Sequence, residues 1–166
     1  MRRVLLLGSM GAGKTTVGEA LAARTGWPHL DNDAVLRALT GRDARQLLAE
    51  GEPVLRAAES RALAHVLALP EPLVAGVAAG VVLDPADRAR LRDGGHVVWL
   101  RAPVDVLARR VGTGTGRPWL GDDPGAALRA LAAVRDPLFA EVAAQVVDVA
   151  QRTPAQVVDD VLAAVG

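Results

Sequence analysis

Short apolar runs alternate along this chain with longer stretches in which hydrophobic residues recur every three or four positions. The runs are Val4-Leu5-Leu6-Leu7, Trp27-Pro28-His29-Leu30, Pro72-Leu73-Val74-Ala75, His96-Val97-Val98-Trp99-Leu100 and Val146-Val147-Asp148-Val149. Runs of this length read as buried strands. The stretch Thr16 to Ala23 reads as a helix, and Val157, Val158, Val161, Leu162 and Val165 mark one face of another, behind a Thr153-Pro154 start. Leu128, Leu131, Leu138 and Val142 predict a longer helix, interrupted at Pro137. Strands alternating with helices predict an α/β fold: a five-stranded, mostly parallel sheet with helices on both faces, binding ligands at the carboxyl ends of its strands. Gly112 to Gly121 is too glycine-rich for regular structure and reads as a lid, about residues 111–124.

Composition narrows the partners. At 166 residues the chain fits one domain, 1–166, with a monomer as the expectation. Nineteen basic against nineteen acidic residues leave no net charge, so no basic field is available to collect nucleic acid. Cysteine is absent, which excludes disulfides, thiolate zinc sites and cysteine nucleophiles. Met1-Arg2-Arg3 leads straight into an apolar strand without the pattern of a signal peptide, and no run is long enough to span a bilayer, so no membrane contact and a cytoplasmic location are expected.

Lys14 is the only lysine, and it stands in Gly8-Ser9-Met10-Gly11-Ala12-Gly13-Lys14-Thr15, a complete match to G-x-x-x-x-G-K-[ST] between a strand and a helix. In such a loop, backbone N–H groups around Gly11, Ala12 and Gly13 and at the helix start through Thr16 cradle a nucleotide's phosphates. Lys14 spans the β- and γ-oxygens, and the Thr15 hydroxyl ligates Mg²⁺. ATP with Mg²⁺ is the cofactor set this predicts.

Other candidates are less decided by the residues alone. Asp31 and Asp33 flank the end of the second strand, where one carboxylate could hold the Mg²⁺ shell through water while the other orients or deprotonates an attacking hydroxyl. Capping the next helix is the equal alternative. Arg56 and Glu59, spaced i, i+3, fit a pair on a solvated helix face, and Arg135 fits a surface salt bridge. Arg117, centred in the lid, suits transition-state charge on a transferring phosphoryl group. His29, His65 and His96 lack metal-ligand spacing, and Trp27 and Trp99 read as packing residues.

With these positions in hand, the chain resembles the shikimate kinases, small P-loop enzymes of the nucleoside-monophosphate-kinase type, over nearly its whole length. Met10 to Gly18 is similar to the family's loop, Leu30-Asp31-Asn32-Asp33 to its D-x-D segment, and Gly51 to Glu59 to its G-E-x-x-F-R-x-x-E stretch. Arg117-Pro118-Trp119-Leu120 resembles the lid's R-P-L-L, and Arg135 to Phe139 the R-x-P-L-Y motif.

The resemblance implies ATP-dependent phosphorylation of the 3-hydroxyl of shikimate, a step of aromatic amino acid biosynthesis. Lys14, Asp33 and Arg117 would be catalytic, with Asp33 on the accepting hydroxyl. Arg56 and Arg135 would bind the shikimate carboxylate, within an acceptor segment of about 32–62 that also holds Glu59. Arg110 and Pro154 would pack around the adenine, with Asp148 nearby. The chain departs from the family where Ala78-Ala79-Gly80 replaces a Gly-Gly-Gly turn, where Leu55 replaces an aromatic, and around Asp43 to Leu47, one residue shorter. Two other readings stay open here: a related kinase for another hydroxylated acid or cyclitol such as gluconate, and a nucleotide-binding relative without catalysis.

Overall fold

In a computed structural model, which describes residues 1–112 and 121–166, the first apolar run forms β1 (Arg3–Leu7) at the centre of a five-stranded parallel sheet. The other strands are β2 (His29–Leu30), β3 (Leu73–Gly76), β4 (His96–Arg101) and β5 (Gln145–Asp148), and the spatial order is β2-β3-β1-β4-β5. All five expected runs contribute, but β2 is only two residues long. Pro28 accepts a hydrogen bond from Val74 N at 2.8 Å yet has no N–H to continue the ladder.

The helices are α1 (Lys14–Thr25), α2 (Asn32–Thr40), α3 (Ala44–Ala49), α4 (Glu52–Ala68), α5 (Pro85–Gly94), α6 (Val104–Val111), α7 (Pro124–Val142) and α8 (Pro154–Val165), with a 3₁₀ turn at Ala79–Leu83. Alternation along the strands builds two cores. Leu5, Leu7, Ala75, Val97 and Trp99 face α2, α4 and α5, whereas Val4, Leu6, Val74, Val98 and Leu100 face α1, α6 and α8. The chain leaves β1 first for the β3 side and later for the β4 side, so a crevice opens at the carboxyl end of β1. The phosphate loop follows β1 directly.

Pro137 does not interrupt α7, contrary to the expectation from sequence. A proline there forfeits the hydrogen bond to the carbonyl of Ala133, but Phe139, fully buried, and Val142 hold the segment against the core beyond it. Phe139 packs on Trp99 with ring centroids 5.6 Å apart. The lid segment lies between the end of α6 and the start of α7; residues 113–120, Arg117 among them, lie outside the described residues. Among the described residues no helix is long and apolar enough to cross a membrane.

One carboxylate in this framework is completely buried. Asp87, in the first turn of α5, accepts a hydrogen bond from Ser60 Oγ of α4 and one from Arg90 Nη1 at 2.8 Å. Ser60 thus ties α4 to α5. Truncation of such a group leaves its partners unsatisfied. Asp87→Ala is expected to lower the unfolding free energy by about 2 kcal/mol and Ser60→Ala by about 1 kcal/mol, as read from urea melts with unchanged m-values.

Candidate active site

The loop residues arrange themselves around an uncapped helix start. Gly11 and Gly13 take φ of +82° and +94°, backbone that favours glycine, and Ala12 N donates to Ser9 O at 3.1 Å to close the turn. Gly13 occupies the N-cap of α1 without a side-chain acceptor, whereas Asp31, Asp43, Asp84, Asp123 and Thr153 cap α2, α3, α5, α7 and α8 with theirs. The first amides of α1, through Thr15 and Thr16, therefore lack a side-chain cap and present positive potential to the crevice.

Lys14 bends back over this loop. Its Nζ donates to Gly8 O at 2.5 Å and approaches Ser9 O at 3.4 Å. Burial of the ammonium pulls its pKa down to about 8, against the opposing pull of Asp33, while Arg135 lowers it further. Lys14, Asp33 and Arg135 line one cleft.

Asp31 does two jobs. Its Oδ1 accepts from Thr15 Oγ1 at 3.0 Å, and its Oδ2 lies 3.4 Å from Ala34 N as the N-cap of α2. The capping alternative therefore applies to Asp31 together with the link to the loop, not in place of it. Asp33, one position into the helix, remains open to solvent. The cleft walls still strip water from its carboxyl, and this together with the nearby Asp31 carboxylate raises its pKa. Among the described residues no group of three or more His, Cys, Asp or Glu side chains forms a metal cage. A hydroxyl and a neighbouring carboxylate fit instead a Mg²⁺ ion that keeps its waters and leans on nucleotide phosphates.

Across the cleft, the expected surface pair on α4 is a correction. Arg56 and Glu59 do pair, but Glu59 is only 7% exposed, so the ion pair faces inward and not onto a solvated helix face. Burial raises the Glu59 pKa against the lowering effect of Arg56. The pair lies against Gly80, where a Cβ would overlap the guanidinium. The i, i+3 spacing is the same for an exposed and a buried pair, so sequence could not separate them.

Arg135 is the second correction. It forms no salt bridge among the described residues, and it is partly buried on α7. Burial first, and then the facing Arg56 guanidinium, weaken its hold on its proton. Two guanidinium groups thus converge on one side of the cleft with a single buried carboxylate, already paired to Arg56, between them.

A cavity of about 1270 Å³ joins these groups, lined by Gly11, Ala12, Gly13, Lys14, Thr15, Thr16, Asp31, Asp33, Arg56, Glu59, Ala78, Ala79, Gly80, Arg110, Arg135 and Pro154. Every described residue singled out from sequence for the site lines it except Asp148. Arg110 bridges its nucleotide end, donating to Gly11 O at 3.2 Å and Val149 O at 3.1 Å. Asp148 stands apart, accepting from Ala150 N at 3.0 Å in the turn after β5. Sequence reasoning missed Arg37, Arg45 and Arg152 on the cavity wall. Arg37 carried a usable signal, because it follows Asp33 by four residues and so shares its helix face.

Comparisons with known proteins agree with this geometry. A family profile described as "Shikimate kinase" matches residues 10–166. The chain is 43% identical over 164 residues to a shikimate kinase of Frankia casuarinae, covering 98% of this chain and 72% of that one. With a shikimate kinase of Pseudomonas entomophila the identity is 40% over 164 residues, covering 98% and 95%. Among solved structures, shikimate kinase from Acinetobacter baumannii in complex with shikimate superposes with a TM-score of 0.93 at 32% identity, covering 99% of this chain and 93% of that one. A match of this extent in both sequence and structure places the chain in the shikimate kinase family.

Proposed function

We propose that this protein transfers the γ-phosphoryl group of ATP to the 3-hydroxyl of shikimate, giving shikimate 3-phosphate and ADP. The observation that carries this reading is the pair of converging guanidinium groups, Arg56 and Arg135, opposite Lys14 in one cleft. Such a site calls for an anionic acceptor. A planar guanidinium fork matches a carboxylate, and two forks fix the ring so that one hydroxyl lies in line with the phosphorus.

The step is a substitution at phosphorus. A bond forms from the acceptor oxygen to the γ-phosphorus, the bond to the β,γ-bridging oxygen breaks, and its electron pair leaves with ADP. Asp33 takes the hydroxyl proton, a role its raised pKa suits. Thr15, with Asp31 through water, would hold Mg²⁺, which supplies charge neutralisation on the β- and γ-phosphate oxygens. Lys14 swings from the Gly8 carbonyl to those same oxygens, and Arg117 is assigned to the transferring group from its place in the lid motif. Arg110 and Pro154 flank the adenine.

Ala78 and Ala79 bear on the acceptor. Ala78 has φ of −61°, Ala79 opens the 3₁₀ turn, and among the described residues no side-chain-bearing residue has a positive φ. The backbone here does not require glycine, so the two methyl groups strain nothing. They line the same cavity as Leu55.

Four outcomes are expected. ADP release with ATP, Mg²⁺ and a panel of shikimate, quinate and gluconate should be fastest with shikimate; Arg135→Lys should raise the shikimate KM by about tenfold or more while ATP affinity stays within about twofold, because a point charge replaces a fork. Turnover confined to gluconate would reject the assignment. Because Lys14 is lowered to about 8 in the free loop, it loses its proton above that pH. ATP affinity should then fall by about tenfold between pH 8 and 9.5, with proton uptake on binding seen by calorimetry in buffers of different ionisation enthalpy. Ala78→Gly and Ala79→Gly should each cost about 0.5–1 kcal/mol of stability from added unfolded-chain entropy, with no gain in shikimate turnover.

A further inference from the structure

The cleft's two acceptor-side guanidinium groups sit on different elements. Arg56 rests against the 3₁₀ turn at Gly80, and Arg135 rides on α7. One group outside the cleft touches both supports. Arg88 of α5 donates through Nη1 to Val82 O of the 3₁₀ turn at 2.7 Å, and its Nε lies 3.2 Å from the Glu141 carboxylate of α7. Arg92, one turn further along α5, donates to the same carboxylate at 2.7 Å. These two hydrogen bonds hold the Glu141 pKa below its ordinary value.

The contact matters because it adds a polar tie between two supports that are otherwise held by apolar packing: Val81 and Val82 of the turn and Phe139 and Val142 of α7 are all buried. Val82 is two residues beyond Gly80, in a turn of only five residues. On α7, Pro137 removes the ladder hydrogen bond to the Ala133 carbonyl, so this part of the helix leans more on side-chain anchors. Phe139 on Trp99 and the buried Val142 are apolar anchors, and Glu141 on α5 is a polar one. Arg88 is mostly buried, with 16% of its side chain exposed, so its bond to Val82 O is shielded from water, whereas the bond to the more exposed Glu141 lies at the surface.

We infer that Arg88 is a positioning residue: by gripping Val82 O and Glu141 together it sets the spacing between the guanidinium groups of Arg56 and Arg135, and through that spacing the fit of the acceptor's carboxylate. Arg88 lines no part of the cavity and touches neither substrate. Lysine is a poor replacement, because one ammonium on a flexible stem does not reproduce the fixed fork that reaches two acceptors at once. The inference rests on the carboxylate-binding role proposed for Arg56 and Arg135.

The test combines kinetics with hydrogen exchange on Arg88→Met, Arg88→Lys and Glu141→Gln. Arg88→Met is expected to raise the shikimate KM by about tenfold with ATP affinity within about twofold of the parent, and Arg88→Lys should recover part of that loss. Glu141→Gln keeps the shape and loses the charge, and should act in the same direction by about threefold, which covers the case in which Arg88→Met folds poorly. In the parent background, amide exchange at 81–83 and at 135–141 should accelerate together in Arg88→Met, while the amides of α1 keep their protection. An unchanged shikimate KM in variants with a lowered Tm would reduce Arg88 to a structural brace and overturn the inference, as would exchange that accelerates in α5 alone. If the parent protein does not turn over shikimate, the proposed reaction fails by itself, and the paired exchange response still decides whether Arg88 couples the two supports.

Discussion

Three cations, Lys14, Arg56 and Arg135, face a common cleft and repel one another, and the architecture around them exists under that constraint. Lys14 and Arg135 each lose proton affinity through burial, and each feels a neighbouring positive group. Only Arg56 has a buried carboxylate of its own. Charges of one sign stay together in a partly dry cleft only if rigid elements hold them there and if an anion compensates them during function. Two anions meet that demand in the proposed reaction, a triphosphate tail at the α1 end and a carboxylate at the α4–α7 end.

The sheet supplies the rigidity. Its order places β1 in the middle, so that the phosphate loop, the D-x-D segment after β2 and the 3₁₀ turn after β3 all emerge on one edge. Helices α4 and α7 then approach that edge from the same side of the sheet, both packed on the core that contains Leu55, Trp99 and Phe139. The division of labour follows from topology. In the proposed reaction, groups for the phosphates come from the loop directly after the central strand, and the two guanidinium groups for the acceptor come from helix faces farther along the chain.

Much of this was legible in the residues themselves. Four-residue apolar runs are a strong signal for central parallel strands, and G-x-x-x-x-G-K-T between a strand and a helix is a dense one for phosphate. The cleft membership of Asp33, Arg56 and Arg135 came from motif resemblance, whereas their local spacing pointed toward caps and surface pairs. Local spacing failed there because burial of Glu59 and the lack of a salt bridge to Arg135 among the described residues are set by which elements pack across the sheet. The continuity of α7 through Pro137 was hidden for a related reason: the anchors that hold it, Phe139 on Trp99 and Glu141 on α5, join residues 40 or more positions apart in sequence, beyond the reach of helix propensity. The contacts of Arg88 with Val82 and Glu141 left no sequence signal of any kind.

The short turn after β3 carries an asymmetry with evolutionary weight. At Ala78 and Ala79 the chain runs through ordinary dihedral space, so the backbone strains no side chain there, although the burial of Ala78 in the core limits its size. At Gly80 the obstacle is a guanidinium pressed against the main chain, and any side chain would displace it. Position 80 therefore stays closed to change for as long as an arginine must stand beside it.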